Sequence, residues 1–200
     1  MSRILVTGGA GTLGRAVAPL LVARGLAVRA IDVQPIDDPP AGVEVVRCDI
    51  RDRAAVERVT QGGDAVVHTA AWHGIHLRDH PASDFWELNV DGTFNVFEAA
   101  ASAGARAVVF SSTMGVYGES SRPDAGGPAV RVTEDLPRRP TDIYATSKVL
   151  GEELAAYYAR AGRFASCALR FGMFVPEPFL RAGIRFLYGG VDPRDVASAV

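Results

Sequence analysis

Short β-branched runs alternate with stretches of helical periodicity along most of this chain, and that alternation leaves few folds open. The apolar runs are "RILVTG" (3–8), "AVRAIDV" (27–33), "VEVVRCDI" (43–50), "DAVVHTAA" (64–71), "AVVFSST" (107–113) and "ASCALRFGMF" (165–174). Between them lie helical patterns at 12–25, 51–63, 83–104 and 140–162. Gly25 stops the first helix, and Thr141 or Asp142 caps the last. Apolar strands separated by helices predict an α/β fold, a doubly wound parallel sheet with helices on both faces. Two Pro/Gly/Asp-rich segments, 34–43 and 118–140, read as loops. No internal repeat interrupts the pattern.

Composition agrees with a packed globular chain: 48% of the 200 residues are hydrophobic and 22% charged. A net charge of −2 gives no electrostatic case for nucleic acid or an anionic membrane. The opening "MSRILVTGGAG" reaches glycines before any long apolar run, and no apolar stretch approaches a membrane span. The expected location is therefore cytoplasmic. Cys48 and Cys167 stand far apart, each in a strand-like run, and are expected to be buried reduced thiols.

The first strand runs into "VTGGAGTLG", which then opens a helix. It fits both Gly8-x-x-Gly11-x-x-Gly14 and Gly9-x-Gly11-x-x-Gly14. Such glycines permit a tight turn, close approach of backbone to a pyrophosphate, and close helix packing. The helix N-terminus adds free N–H groups and the positive end of its dipole. Asp32 ends the second strand, where an acid accepts hydrogen bonds from an adenosine ribose and repels a 2′-phosphate. No arginine immediately follows it, so NAD is expected over NADP. Asp49, after the third strand, reads equally as a cap for the helix at 51–60 or as an adenine contact.

"TGGAGTLG", "HTAA", "NVDGTFNV", "SSTMGVYG" and "YATSK" occur in the order of the extended short-chain dehydrogenase/reductases, and the chain resembles their NAD-dependent epimerase/dehydratase group. The resemblance covers most of residues 1–175 and implies a Rossmann fold. It implies Tyr144 as general base or acid, Lys148 as its partner and Thr113 as the substrate-binding hydroxyl, with Ser111 and Ser112 supporting the loop. The cofactor contacts it implies are Gly8, Gly11, Thr12, Leu13, Asp32, Asp49, Ile50, Thr69, Ala70, Ala71, Trp72, Asn89, Ser111, Tyr144 and Lys148. Chemistry is consistent with these roles. A free tyrosine titrates near pH 10, and an adjacent ammonium favours its ionised form. A tyrosine and a lysine four apart share a helix face. The implied reaction is hydride transfer between NAD and the hydroxyl carbon of a sugar or sugar nucleotide. A free sugar acid, or a regulatory role without catalysis, are the alternatives.

Three departures refine that implication. The dehydratases of this group carry an Asp-Glu pair after the active-site threonine; here Met114 and Gly115 stand there, and neither can move a proton. Nucleotide-sugar epimerases place an asparagine three residues beyond the sixth-strand arginine; counted from Arg170, that position is Met173. "LRFGMFVPEP" is instead similar to uronate dehydrogenases. "GGVDPRDVASAV" resembles a segment that starts a helix of the substrate lobe, so 1–175 is expected to be the NAD-binding domain and 176–200 the remnant of a substrate lobe.

His73, His76 and His80 have helical spacing, but Gly74 and Pro81 break a regular helix, and no metal site is expected. That loop is expected to border the substrate pocket, with Trp72, His73 and Arg78 reaching it, and His68 is expected to be a structural histidine. The helix at 83–104 carries Phe85, Asn89, Gly92, Val96 and Ala99 on one side and Trp86, Val90, Phe94 and Phe97 on another. The helix at 142–161 adds Leu150, Leu154, Tyr157 and Tyr158. Helices apolar on more than one face predict a homodimer.

Overall fold

The computed structural model describes residues 2–174 and 190–200. Six parallel strands form one sheet in the order β3-β2-β1-β4-β5-β6. They are β1 (Arg3–Thr7), β2 (Ala27–Asp32), β3 (Val43–Arg47), β4 (Ala65–His68), β5 (Ala107–Thr113) and β6 (Ala165–Phe171). β1 starts a run that moves outward through β2 to β3, and β4 starts a second run in the opposite direction through β5 to β6. The order therefore reverses between β1 and β4, where open α/β sheets place their ligand crevice. Thr7 and His68, the last residues of those strands, pair in register.

Helix α1 (Thr12–Ala23) covers one face of the sheet, joining Leu13, Val17 and Leu21 to Ile4, Val6, Val28 and Val67. The other face is covered by α2 (Arg53–Thr60), α3 (Ala82–Phe85) and α4 (Gly92–Ser102) with the π-helical turn Trp86–Asp91 between them, and α5 (Ile143–Arg160). Phe97 is the hub of this core. Its ring meets His68, Phe110, Tyr158 and Phe164 edge-on at 5.8–6.0 Å, a favoured aromatic geometry. A short pair, β7 (Met173–Phe174) with β8 (Gly190–Val191), precedes α6 (Pro193–Ala199). α6 starts on Asp192, whose carboxylate accepts from Arg194 N–H, and it buries Val196 and Ala197 among the side chains of α1 and β1.

The expected helices shorten at their ends, and two expectations need correction. The apolar stretch 83–104 is helical, but not as one α-helix: six residues, Trp86–Asp91, wind as a π turn. Phe97 and Tyr158 are both core residues. Asp142, not Thr141, caps α5, accepting from Ala145 N–H at 2.7 Å. Cys48 is buried as expected, whereas Cys167 is exposed, because β6 is the last strand of the sheet. The Pro-Glu-Pro segment at 176–178 lies outside the described residues.

Candidate active site

The loop between β1 and α1 owes its shape to close backbone contacts. Gly8 has φ +70°, and a Cβ there would stand 2.7 Å from Thr69 Oγ1 and 2.8 Å from Ala70 N. At Gly14 a Cβ would meet Gly8 O at 2.3 Å. Only glycine permits both approaches. Helix α1 has Gly11 at its N-cap, with no side-chain cap and no acid in its first turn. Its leading N–H groups and positive dipole end are thus left for an external anion. Asp32 stands beside this loop at the end of β2, its carboxylate accepting from Ala10 N–H at 3.0 Å and Gln34 N–H at 2.9 Å. A turn that only glycine can make, an uncapped helix start and a fixed carboxylate fit a dinucleotide.

The other expected cofactor residues divide into those whose side chains can face this crevice and those whose side chains cannot. Thr12 is exposed at the start of α1. Leu13 is buried in the core, so only its backbone can face a ligand. Ile50 is likewise buried, packed against Gly92. Asp49 does not cap α2. Asp52 does, accepting from Ala55 N–H at 3.0 Å, while Asp49 pairs with Arg51. The Arg51 guanidinium, hydrogen-bonded to Asp49, holds that carboxyl below its usual range despite partial burial. Thr69 and Ala70, just past β4, give their N–H groups to Thr7 Oγ1. Ala71 and Trp72 continue this turn. Trp72 is clamped by Asn89, whose Oδ1 accepts from Trp72 N–H at 2.7 Å and whose Nδ2 donates to Trp72 O at 3.0 Å.

Asn89 sits in the π turn, and this explains the break in the helix. Its Nδ2 also donates to Ser147 Oγ at 3.0 Å, and Ser147 donates to Tyr144 O at 2.6 Å. One buried amide therefore ties the β4 turn to α5. π turns recur where a helix must aim a functional side chain.

At the other side of the crevice, β5 and α5 bring Thr113, Tyr144 and Lys148 together. Tyr144 and Lys148 are 8% and 4% exposed. Lys148 Nζ donates to Ser111 O at 2.8 Å and lies 6.0 Å from the centre of the Tyr144 ring. Ser111 thus serves the site through its carbonyl. Burial pushes the Tyr144 phenol up to about 12, opposed by the nearby Thr113 hydroxyl, and pushes Lys148 down to about 7. In the chain alone the tyrosine is therefore not ionised by its lysine, contrary to the simple i,i+4 expectation. Desolvation outweighs the ammonium, whose hydrogen bond goes to backbone.

Two residues that the sequence did not single out hold this half in place. Glu152, one turn beyond Lys148, accepts from Ser112 Oγ at 2.6 Å, from Arg170 at 2.7 and 2.8 Å and from Arg138 at 3.2 Å. Arg170 reaches it because Ser112 and Arg170 are paired neighbours on β5 and β6. Burial raises the Glu152 carboxyl, but the hydrogen bonds from Arg170 and Ser112 outweigh it and leave the group below its usual range. Within α5, Gly151 lies against Phe110, where a Cβ would stand 2.3 Å from the ring.

The histidine loop stacks rather than ligates. Trp72 lies on His80 at 4.0 Å and meets His76 at 4.9 Å, while His80 Nδ1 pairs with Asp84 at 2.9 Å. Among the described residues no group of His, Cys, Asp and Glu is arranged to hold a metal. His73 is exposed overall, yet its ring rests 4.9 Å from that of Tyr144. That contact desolvates it, and with the Lys148 charge lowers its pKa.

Residues 4–177 match the family described as NAD dependent epimerase/dehydratase. The chain belongs to this family. A uronate dehydrogenase of Pseudomonas putida is 33% identical over 182 residues, which are 88% of this chain and 63% of that protein. The chain therefore spans less than two thirds of that relative's length. The crystal structure of uronate dehydrogenase from Agrobacterium tumefaciens superposes with a TM-score of 0.82 at 31% identity, covering 100% of this chain and 70% of that one. Thermus thermophilus UDP-glucose 4-epimerase, solved in complex with NAD, gives a TM-score of 0.74 at 32% identity, covering 86% of this chain and 56% of that one. NAD is the cofactor. Among the described residues no helix is long and apolar enough to cross a membrane.

Proposed function

We propose that the protein moves a hydride between NAD and a sugar hydroxyl carbon, with Tyr144 as the proton-transferring group. The observation that carries this reading is the meeting of Thr113, at the end of β5, with the buried Tyr144 and Lys148 of α5, where Lys148 Nζ is held by Ser111 O and lies 6.0 Å from the Tyr144 ring. Gly8, Gly11, Thr12, the backbone of Leu13, Asp32 and the turn from Thr69 to Trp72 would hold the dinucleotide, with Asp49 and Ile50 at its edge. When bound, NAD supplies the hydride acceptor. Thr113 would orient the substrate oxygen, and Tyr144 Oη would take its proton in the ionised form, which positive charge from the bound cofactor and from Lys148, fixed by Ser111 O, favours over the neutral phenol. His73, against Tyr144, bounds the space left for the substrate.

Two specific observations favour a free sugar acid over a nucleotide sugar. The relatives above include uronate dehydrogenases, and Met173 replaces the polar side chain that epimerases present near the substrate phosphates. We assign residues 1–175 to the NAD-binding body and 176–200 to the beginning of the substrate lobe, in a cytoplasmic protein. The outward side chains Trp86, Phe94 and Tyr157, 47%, 40% and 57% exposed, support a homodimer through α4 and α5. Sedimentation across micromolar concentrations tests it: a monomer throughout refutes the dimer.

The test of the reaction is NADH absorbance on mixing the protein with NAD and either a uronate or a UDP-sugar. Net NADH from the uronate is expected. Turnover of a UDP-sugar without NADH accumulation would establish the epimerase instead, and full activity in Tyr144→Phe would overturn the catalytic assignment.

A further inference from the structure

Thr7 and His68 are buried at the switch point, and neither touches the reacting groups proposed above. Thr7 Oγ1 lies 2.7 Å from His68 Nδ1. The same oxygen accepts from Thr69 N–H at 3.1 Å and Ala70 N–H at 3.2 Å. His68 Nε2 lies 2.9 Å from Thr93 Oγ1 on α4. Counting donors places the protons. A hydroxyl oxygen offers two lone pairs and one proton. Both lone pairs of Thr7 are taken by amides, so its proton goes to His68 Nδ1. That nitrogen is then an acceptor, and the ring proton sits on Nε2, donated to Thr93.

Burial keeps this imidazole neutral, its pKa pushed down to about 3, with the Lys148 charge acting the same way. The turn held by these bonds has no slack. Thr69 Oγ1 donates back to Thr7 O at 2.7 Å, and Gly8 lies so near Thr69 and Ala70 that no side chain fits between them.

We infer that Thr7, His68 and Thr93 form a positioning relay for NAD, which fixes the Thr69–Ala70 turn against the glycine loop through the Nε2–H tautomer of His68. The relay joins three elements, β1, β4 and α4, at the one place where the two halves of the sheet diverge. Loss of any link frees two backbone amides at the crevice instead of a side chain far from it. The inference rests on dinucleotide binding and is independent of which alcohol is oxidised.

The experiment is NADH titration by fluorescence, with melting temperature recorded alongside, for the full chain and its variants. NADH binding by the unchanged chain tests the dinucleotide site itself. Given that binding, Thr7→Val is expected to weaken NADH about tenfold, and Thr7→Ser, which keeps the hydroxyl, to stay within about twofold. A purely structural role would lower the melting temperature and leave affinity unchanged, so a folded Thr7→Val with unchanged NADH affinity overturns the proposal. Should Thr7→Val fail to fold, Thr93→Val decides by the same criterion: it removes the acceptor that holds the Nε2–H tautomer of His68, frees the ring to turn away from Thr7 and is expected to weaken NADH as well. Nitrogen-15 NMR of His68 in the unaltered chain should show an unprotonated Nδ1 and a protonated Nε2; the reverse tautomer overturns the relay.

Discussion

Around β1 and β4 the turn from Thr7 to Ala70 is made of backbone amides, a glycine and hydroxyls that bond to one another. Around β5 and α5 the crevice is made of buried ionisable groups, Tyr144, Lys148 and Glu152. The first half resembles ordinary protein interior and stabilises the fold while it shapes the site. In the second half the buried Lys148 opposes folding, because burial has displaced it toward its neutral form, while the Glu152 network beside it supports the fold. Function and stability should therefore separate on mutation in the second half and move together in the first.

The largest expected effect is catalytic. Tyr144→Phe should lower turnover about 10³-fold or more while NADH affinity holds, measured by steady-state kinetics and titration. Next is Glu152→Leu, which strips Arg170 and Arg138 of their shared carboxylate. Breaking a buried pair on one side costs about 3–5 kcal/mol, read from urea unfolding. If the loss is under about 1 kcal/mol, the network is decorative. Gly151→Ala should cost about 1–3 kcal/mol by driving α5 off Phe110, and Phe110→Leu should recover part of it.

The sharpest test of the contrast is a pH slope, small per pH unit. Lys148 has a folded pKa of about 7 against an ordinary 10.5. Between those values the unfolded chain holds a proton that the folded chain does not. Stability must then rise with pH across that window, by up to about 1.4 kcal/mol per pH unit for this one group. Lys148→Met should abolish turnover, raise stability at pH 7 and remove that slope. An unchanged slope would show that the lysine is not buried in solution.

Much of this was legible in the sequence, for physical reasons that also mark the limits. The six strands and the glycine loop were readable because periodicity and glycine geometry are local properties. Tyr144 and Lys148 share a helix face as their spacing requires. Where their charges go depends on Ser111 O, which the spacing of two helix residues does not disclose. Arg170 and Glu152 converge only because β6 pairs with β5 and sets Arg170 opposite Ser112. The π turn escaped notice because its composition is that of any amphipathic helix. Which way Phe97 and Tyr158 face was not legible for a related reason: at the border of a helix face, a ring's destination is decided by its neighbours, here each other and Phe164. Cys167 was expected inside because an apolar run looks the same in a central strand and in a terminal one.

The π turn has a consequence for how this chain tolerates insertions and deletions. Between Phe85 and Gly92 the backbone takes a wider turn than an α-helix would, so the segment accommodates a surplus residue. Deleting Leu88 would let an ordinary helix run through with all its backbone bonds intact. The turns on either side of the cut would stay in phase, because the wide turn had absorbed the extra residue, and only the side chains of the turn itself would be re-aimed. Asn89 would then sit on a regular turn, and its bonds to Trp72 and Ser147 would be lost or strained although the rest of the helix was unmoved. One residue of helix length, spare by backbone accounting, thus sets the aim of the one amide that ties the β4 turn to α5.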